Sequence, residues 1–254
     1  MLMLGHPGHE LRLHGWLERN HPTVHILTDG SGANRSPRIE ATLRLLDRSG
    51  CRKGSIFGRF TDRELYDLIL RGECEPVAEV VLDLAADLVR KSVELVIADA
   101  FELYNPAHDL ASLIARLAAE RATNDRGRFV AVYHYAVVGD PSLTTPGAMV
   151  LALDDDAVAR KMRSAEAYGE LQSEIVDALA RYSPAAFQTE VLWPASGPLL
   201  PADPSGVPYE QHGADRVRAG VYQRVLRYQN EFVPFASRLI ELVGSAVGAR
   251  PACH

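Results

Sequence analysis

The chain has 254 residues, 47% apolar and 24% charged, with a formal net charge of -6 at pH 7; this suits one large α/β domain, or one domain plus a small appendage. The acidic total with no offsetting basic stripe argues against nucleic acid as a partner. No apolar run of about 18 residues is present, so no membrane-spanning helix is expected.

An N-terminus without a basic segment, a long apolar stretch and a small-residue cleavage site sets the expectation of a cytoplasmic protein. Cys51, Cys74 and Cys253 are odd in number and lack metal-like spacing, so they read as reduced, incidental thiols. Strand-like runs are expected at 1–5, 23–28, 54–57, 93–98, 129–135 and 147–153. Helical patterns lie between them at about 9–19, 36–48, 62–71, 75–91 and 107–122. Thr61-Asp-Arg-Glu64 reads as a capping box. Val77, Val80, Val81, Leu84 and Leu88 recur at helical spacing and mark a core face.

This alternation predicts a Rossmann-like, mostly parallel sheet with helices on both faces. Beyond 153 the pattern becomes helical, with Asp154-Asp-Asp156 capping a helix to about 165 and a second helix over 169–181. Five prolines and two glycines within 194–208 predict a loop. Helices over 214–229 and 231–247 follow. The expected organisation is an α/β domain over 1–193, a Pro-rich loop over 194–213, and a C-terminal helical extension over 214–254 packed on the same domain.

Two strand-to-helix hand-overs carry histidines. The first apolar run ends in Gly5-His6-Pro7-Gly8-His9-Glu10, and positions i and i+3 share a side of the helix start. The run Val93–Asp99 leads into Ala-Phe-Glu102-Leu-Tyr-Asn105-Pro-Ala-His108-Asp109. If both strands lie in one parallel sheet, His6, His9 and His108 can meet above its C-terminal edge. Three imidazoles there would bind zinc and leave a fourth position open. The plain alternative is imidazoles that cap or solvate two βα turns.

Gly5-His6-Pro7-Gly8-His9-Glu10 resembles the Ala-His-Pro-Asp-Asp-Glu motif of the PIG-L/LmbE-like zinc-dependent N-deacetylases. Leu27-Thr28-Asp29-Gly30 resembles that family's Thr-Asp-Gly, followed by an Arg (Arg35 or Arg38) and Glu40. Asn105-Pro106-Ala107-His108 resembles its His-Pro-Asp-His, and Lys161 with Ala165 is weakly similar to its Lys-x-x-Ala helix. The resemblance spans roughly residues 1–175. It implies a hydrolase removing acetyl groups from amino sugars or glycoconjugates, with Zn2+ on His6, His9 and His108. It departs where chemistry is densest: the family's general base falls on Gly8, and its second proton-handling histidine falls on Asn105.

The replacement base is expected at Asp99 or Glu102, with Asn105 as a hydrogen-bond donor to an oxyanion and His212 as a proton donor returned by the C-terminal segment. Asp109 is expected to orient a histidine. Asp29, Arg35 and Arg38 are the expected substrate contacts, since guanidinium groups fork onto phosphate or sugar oxygens. The expected partner is a small molecule or glycoconjugate, and homo-oligomerisation is left open. Two other readings stand beside the hydrolase: a catalytically degenerate relative that binds a glycan, metabolite or protein, and a two-His, one-carboxylate iron centre.

Overall fold

A computed structural model describes residues 1–32, 36–202, 204 and 206–245. Its strands are β1 (Leu2–Leu4), β2 (Thr23–Thr28), β3 (Arg52–Phe60), β4 (Leu95–Asp99), β5 (Ala131–Tyr135), β6 (Met149–Ala152) and β7 (Thr189–Pro194). Its α-helices are α1 (His14–Asn20), α2 (Ile39–Arg48), α3 (Asp62–Arg71), α4 (Glu75–Arg90), α5 (Pro106–Arg126), α6 (Asp155–Glu166), α7 (Gln172–Tyr182), α8 (Pro208–Arg218) and α9 (Val233–Ser245).

The strands form one seven-stranded sheet in the order β3-β2-β1-β4-β5-β7-β6. The first five run parallel, and β7 enters antiparallel between β5 and β6. The chain winds outward from β1 to β3 and then returns to the other side of β1 with β4. Adjacent strands β1 and β4 therefore send their following segments to opposite faces, which opens a crevice at their C-terminal ends.

Helices cover both faces. Val77, Val80, Val81, Leu84 and Leu88 of α4 are fully buried against α5 and α9, as their spacing predicts. Each such side chain contributes roughly 1.5–3 kcal/mol of burial free energy as an upper bound. The opposite core joins Leu2, Leu4, Val24, Ile26, Leu45 and Ile97 to Tyr135 and Tyr168. The Thr61/Glu64 capping box forms, and Asp154 caps α6 through the Ala157 amide.

Several elements differ from the sequence expectation. The helix expected over 9–19 begins as a 3-10 turn, His9–Leu13, before α1. Strand β7 has no counterpart in the expectation, although Thr189-Glu-Val-Leu-Trp alternates as a strand does. The helix expected over 214–229 instead starts at Pro208 and stops at Arg218. Proline has no amide proton to lose at a first helical position, so Pro208 opens the helix that a reading of proline as loop signal delays. The chain turns at Gly220 and re-enters helix through a π turn at Tyr228–Phe232, continuous with α9. Residues 246 and 247 of the last expected helix lie outside the described residues.

Candidate functional site

His6 and His9 leave the end of β1, and His108 sits in the first turn of α5, just beyond β4. The register Leu2↔Ile97 and Met3↔Ala98 places these two strand ends side by side. Gly5 permits the approach: a side chain there would meet the Ala107 carbonyl and Asp99 Oδ2, each 2.9 Å from its Cβ. The three imidazoles consequently form a cluster. Ring centres lie 5.2 Å apart for His6–His9, 5.2 Å for His6–His108 and 4.4 Å for His9–His108.

Each ring is positioned from behind. His9 Nδ1 lies 2.7 Å from Asp99 Oδ2. The same oxygen accepts the Gly5 amide at 2.7 Å, and Asp99 Oδ1 accepts the Tyr135 hydroxyl at 2.7 Å. His6 Nδ1 meets Thr28 Oγ1 at 2.7 Å and Asp62 Oδ1 at 3.1 Å. His6 Nε2 and His108 Nδ1 are buried with no hydrogen-bond partner among the described residues. Burial is the main cause holding His9 and His108 below the ordinary imidazole range; at His108 the neighbouring rings add to it, and at His9 the Asp99 carboxylate opposes it. Neutral imidazoles are what a metal ion requires.

Among the described residues no group of three or more His, Cys, Asp or Glu already stands as a metal-holding set. The ring spacing nevertheless suits one ion. With Zn–N bonds of about 2.0–2.1 Å, tetrahedral imidazoles have ring centres roughly 5 Å apart. The donor type and the two orphaned nitrogens are what a divalent metal would use.

The expected replacement bases are both engaged. Asp99 is fully buried, and its two oxygens hold Gly5, His9 and Tyr135. Glu102 accepts the amides of Val138 and Gly139 at 3.0 and 2.8 Å, and so braces the loop after β5. Burial raises its carboxyl above the ordinary range, with those amides opposing. Asn105 caps α5 by accepting the Ala107 amide at 2.9 Å, which leaves its NH2 group as donor. Among the described residues Asp109 makes no hydrogen bond to a histidine; its Oδ1 accepts the Glu102 and Leu103 amides, each at 3.0 Å.

Of the expected substrate contacts, Asp29 accepts the Ser31 amide at 2.9 Å at the mouth of β2. Arg38 precedes α2 with a side chain 17% exposed and a buried, unpartnered Nε. Arg35 lies outside the described residues. His212 is exposed on α8, one turn from buried Tyr209, and makes no hydrogen bond or ion pair with the three histidines among the described residues. The helix begins at Pro208 and turns Tyr209 and Gly213 inward, so His212 falls off the packed face.

Two features escape a reading of spacing alone. Asp62 is the first residue of α3, and its Oδ2 accepts the Gly32 amide at 2.6 Å. Burial works against its charge, yet the nearby His6 ring, Thr28 and the Gly32 amide outweigh burial and hold the carboxyl below the usual range. Its only sequence signal was membership of the capping box. The second is a buried relay in which Glu10 accepts the Gly8 amide at 2.7 Å and the Thr42 hydroxyl at 2.6 Å, while Thr42 meets Tyr168 at 2.8 Å. Burial raises the Glu10 carboxyl to about 7.

No protein-family model matches the chain, and no curated protein sequence matches it significantly. Solved structures do. A triple mutant of a deacetylase of the teicoplanin biosynthetic pathway aligns with TM-score 0.50 at 18% identity, over 76% of this chain and 95% of its own. An antimicrobial-pseudoaglycone deacetylase aligns with TM-score 0.50 at 19% identity, over 76% and 95%. A zinc-inhibited form of teicoplanin deacetylase aligns with TM-score 0.51 at 14% identity, over 76% and 96%. The chain thus shares the α/β fold of these deacetylases.

Proposed function

We propose that the protein is a metal-dependent amide hydrolase of the PIG-L/LmbE type, deacetylating an amino sugar or glycoconjugate with zinc held by His6, His9 and His108. The observation that carries this reading is the cluster of three imidazoles at the switch point of the sheet, His6 and His108 buried and His9 partly so, two of them backed by carboxylates. The fold shared with glycopeptide-pathway deacetylases supports the reaction class.

Zinc at such a site supplies Lewis-acid charge and an acidified water. The surrounding residues then have separable tasks. Asp99, held by Tyr135 and Gly5, keeps His9 turned toward the cluster. The exposed part of the Arg38 guanidinium is available to a sugar oxygen or an anionic substituent. The Asn105 NH2 group, left free of the cap at the start of α5, would donate to a developing oxyanion. Asp29 accepts from a hydroxyl at the mouth of β2.

A second reading, a degenerate relative that binds its glycan or partner without turnover, is favoured by one observation: Asp99 and Glu102 both have their oxygens engaged by protein donors. Elemental analysis of the purified protein, with His9→Ala as control, is the first test. About one zinc per chain, lost in the variant, supports the centre; no metal in either protein ends the hydrolase reading. Hydrolysis of N-acetylated sugars that disappears in His108→Ala separates an enzyme from a binding protein.

A further inference from the structure

We propose that Asp62 is a positioning residue that selects the tautomer of His6, so that His6, like His9, presents Nε2 as its metal-binding nitrogen; this rests on the zinc reading above. The argument starts from what faces His6 Nδ1. Thr28 Oγ1 is 2.7 Å away, and a hydroxyl can donate to or accept from a ring nitrogen. Thr28 Oγ1 can give its own proton to the Gly5 carbonyl at 3.1 Å, which favours a protonated Nδ1, or to the ring, so Thr28 alone fixes the tautomer incompletely. Asp62 Oδ1 stands 3.1 Å from the same nitrogen in a charge contact, without a hydrogen bond among the described residues, and an ionised carboxylate has only lone pairs to offer it. Two lone pairs facing each other would repel, so the proton goes on Nδ1 and the lone pair on Nε2. That Nε2 is buried with no hydrogen-bond partner among the described residues.

The carboxylate is itself fixed from two sides. It opens α3, where helix-start amides favour negative charge, inside the Thr61/Glu64 capping box. Its Oδ2 is held at 2.6 Å by the Gly32 amide from the loop after β2. Asp99 does the same for His9 from the end of β4, at 2.7 Å. The two histidines of one turn are thus set by two carboxylates from different elements. Such outer partners fix ring orientation and raise ligand basicity.

The test reads the tautomer and the metal separately. In the metal-free wild-type protein, long-range proton–nitrogen NMR correlations should show His6 protonated on Nδ1. In Asp62→Asn the amide can donate to Nδ1, and the Nε2-protonated form should appear. Zinc affinity, measured by competition with a chromophoric chelator, should fall about tenfold to a hundredfold in Asp62→Asn. Asp62→Glu should recover part of it. A wild-type His6 protonated on Nε2 overturns the proposal without any variant. A folded Asp62→Asn protein with wild-type tautomer and an affinity within about twofold also overturns it. If wild type binds no zinc, the metal reading falls, and the tautomer in the metal-free protein still decides the role of Asp62.

Discussion

Leu171 occupies the space over Gly8. Its Cδ1 stands where a side chain at position 8 would have to go, and Gly8 itself has φ 102. This is the position at which the resembling family carries a carboxylate base, so the missing group is matched by packing rather than by an empty slot.

Restoring that carboxylate alone should fail. Gly8→Asp meets both a left-handed backbone and the Leu171 side chain, and is expected to cost about 2–4 kcal/mol. For a chain of this size the melting point should drop by several degrees, which differential scanning fluorimetry reads. Leu171→Ala should cost less in the Gly8→Asp background than in wild type, because the two side chains compete for one space; a Gly8→Asp protein as stable as wild type would contradict the packing described here.

Metal should stabilise the folded state. Zinc that binds only the native chain adds about 2.7 kcal/mol at a hundredfold excess over its dissociation constant. Adding zinc to chelator-treated protein should raise the melting point, and His108→Ala should abolish the rise. An equal rise in both proteins would place the ion elsewhere.

Lys161 and Glu190 form a buried ion pair at 2.9 Å, and Glu190 also accepts the amides of Gly15 and Trp16 at the start of α1. Lys161→Met leaves a buried carboxylate without its cation and should cost about 3–5 kcal/mol by urea unfolding. Lys161→Met with Glu190→Gln should be milder, because the neutral amide oxygen still accepts from α1. Equal losses in the single and double variants would show that the pair is not the source.

His25 supplies a pH dependence of known sign. Its Nδ1 accepts the Ile56 amide at 3.3 Å, and burial lowers its pKa to about 4, against the pull of Asp87. A depressed histidine adds stability above the unfolded-state value of about 6.5 and loses it as pH falls toward 4. By pH 5 the loss from this ring is about 2 kcal/mol. Glu10, raised to about 7, works in the opposite direction, so total stability is the wrong observable. The difference between wild type and His25→Gln isolates the ring: the change in stability from pH 7.5 to 5 should differ by about 2 kcal/mol. Parallel pH curves would show that His25 is charged or hydrated in the fold.

Local pattern made most of the fold legible. Periodicity located β2, α3 and α4 to within a residue or so, the capping box was readable from Thr61 and Glu64, and the three histidines stood out at two βα hand-overs. These features depend on neighbours a few positions away, so spacing alone determines them. What only the tertiary structure decided is which distant groups meet. Asp99 reaches His9 across 90 positions, Leu171 comes down over Gly8, Asp62 arrives at His6 from another helix, and β7 slips antiparallel between β5 and β6. Such meetings follow from strand order and register, which the packing of the whole sheet selects. For that reason two carboxylates that read as bases in the sequence, Asp99 and Glu102, are bound up holding a histidine and a loop.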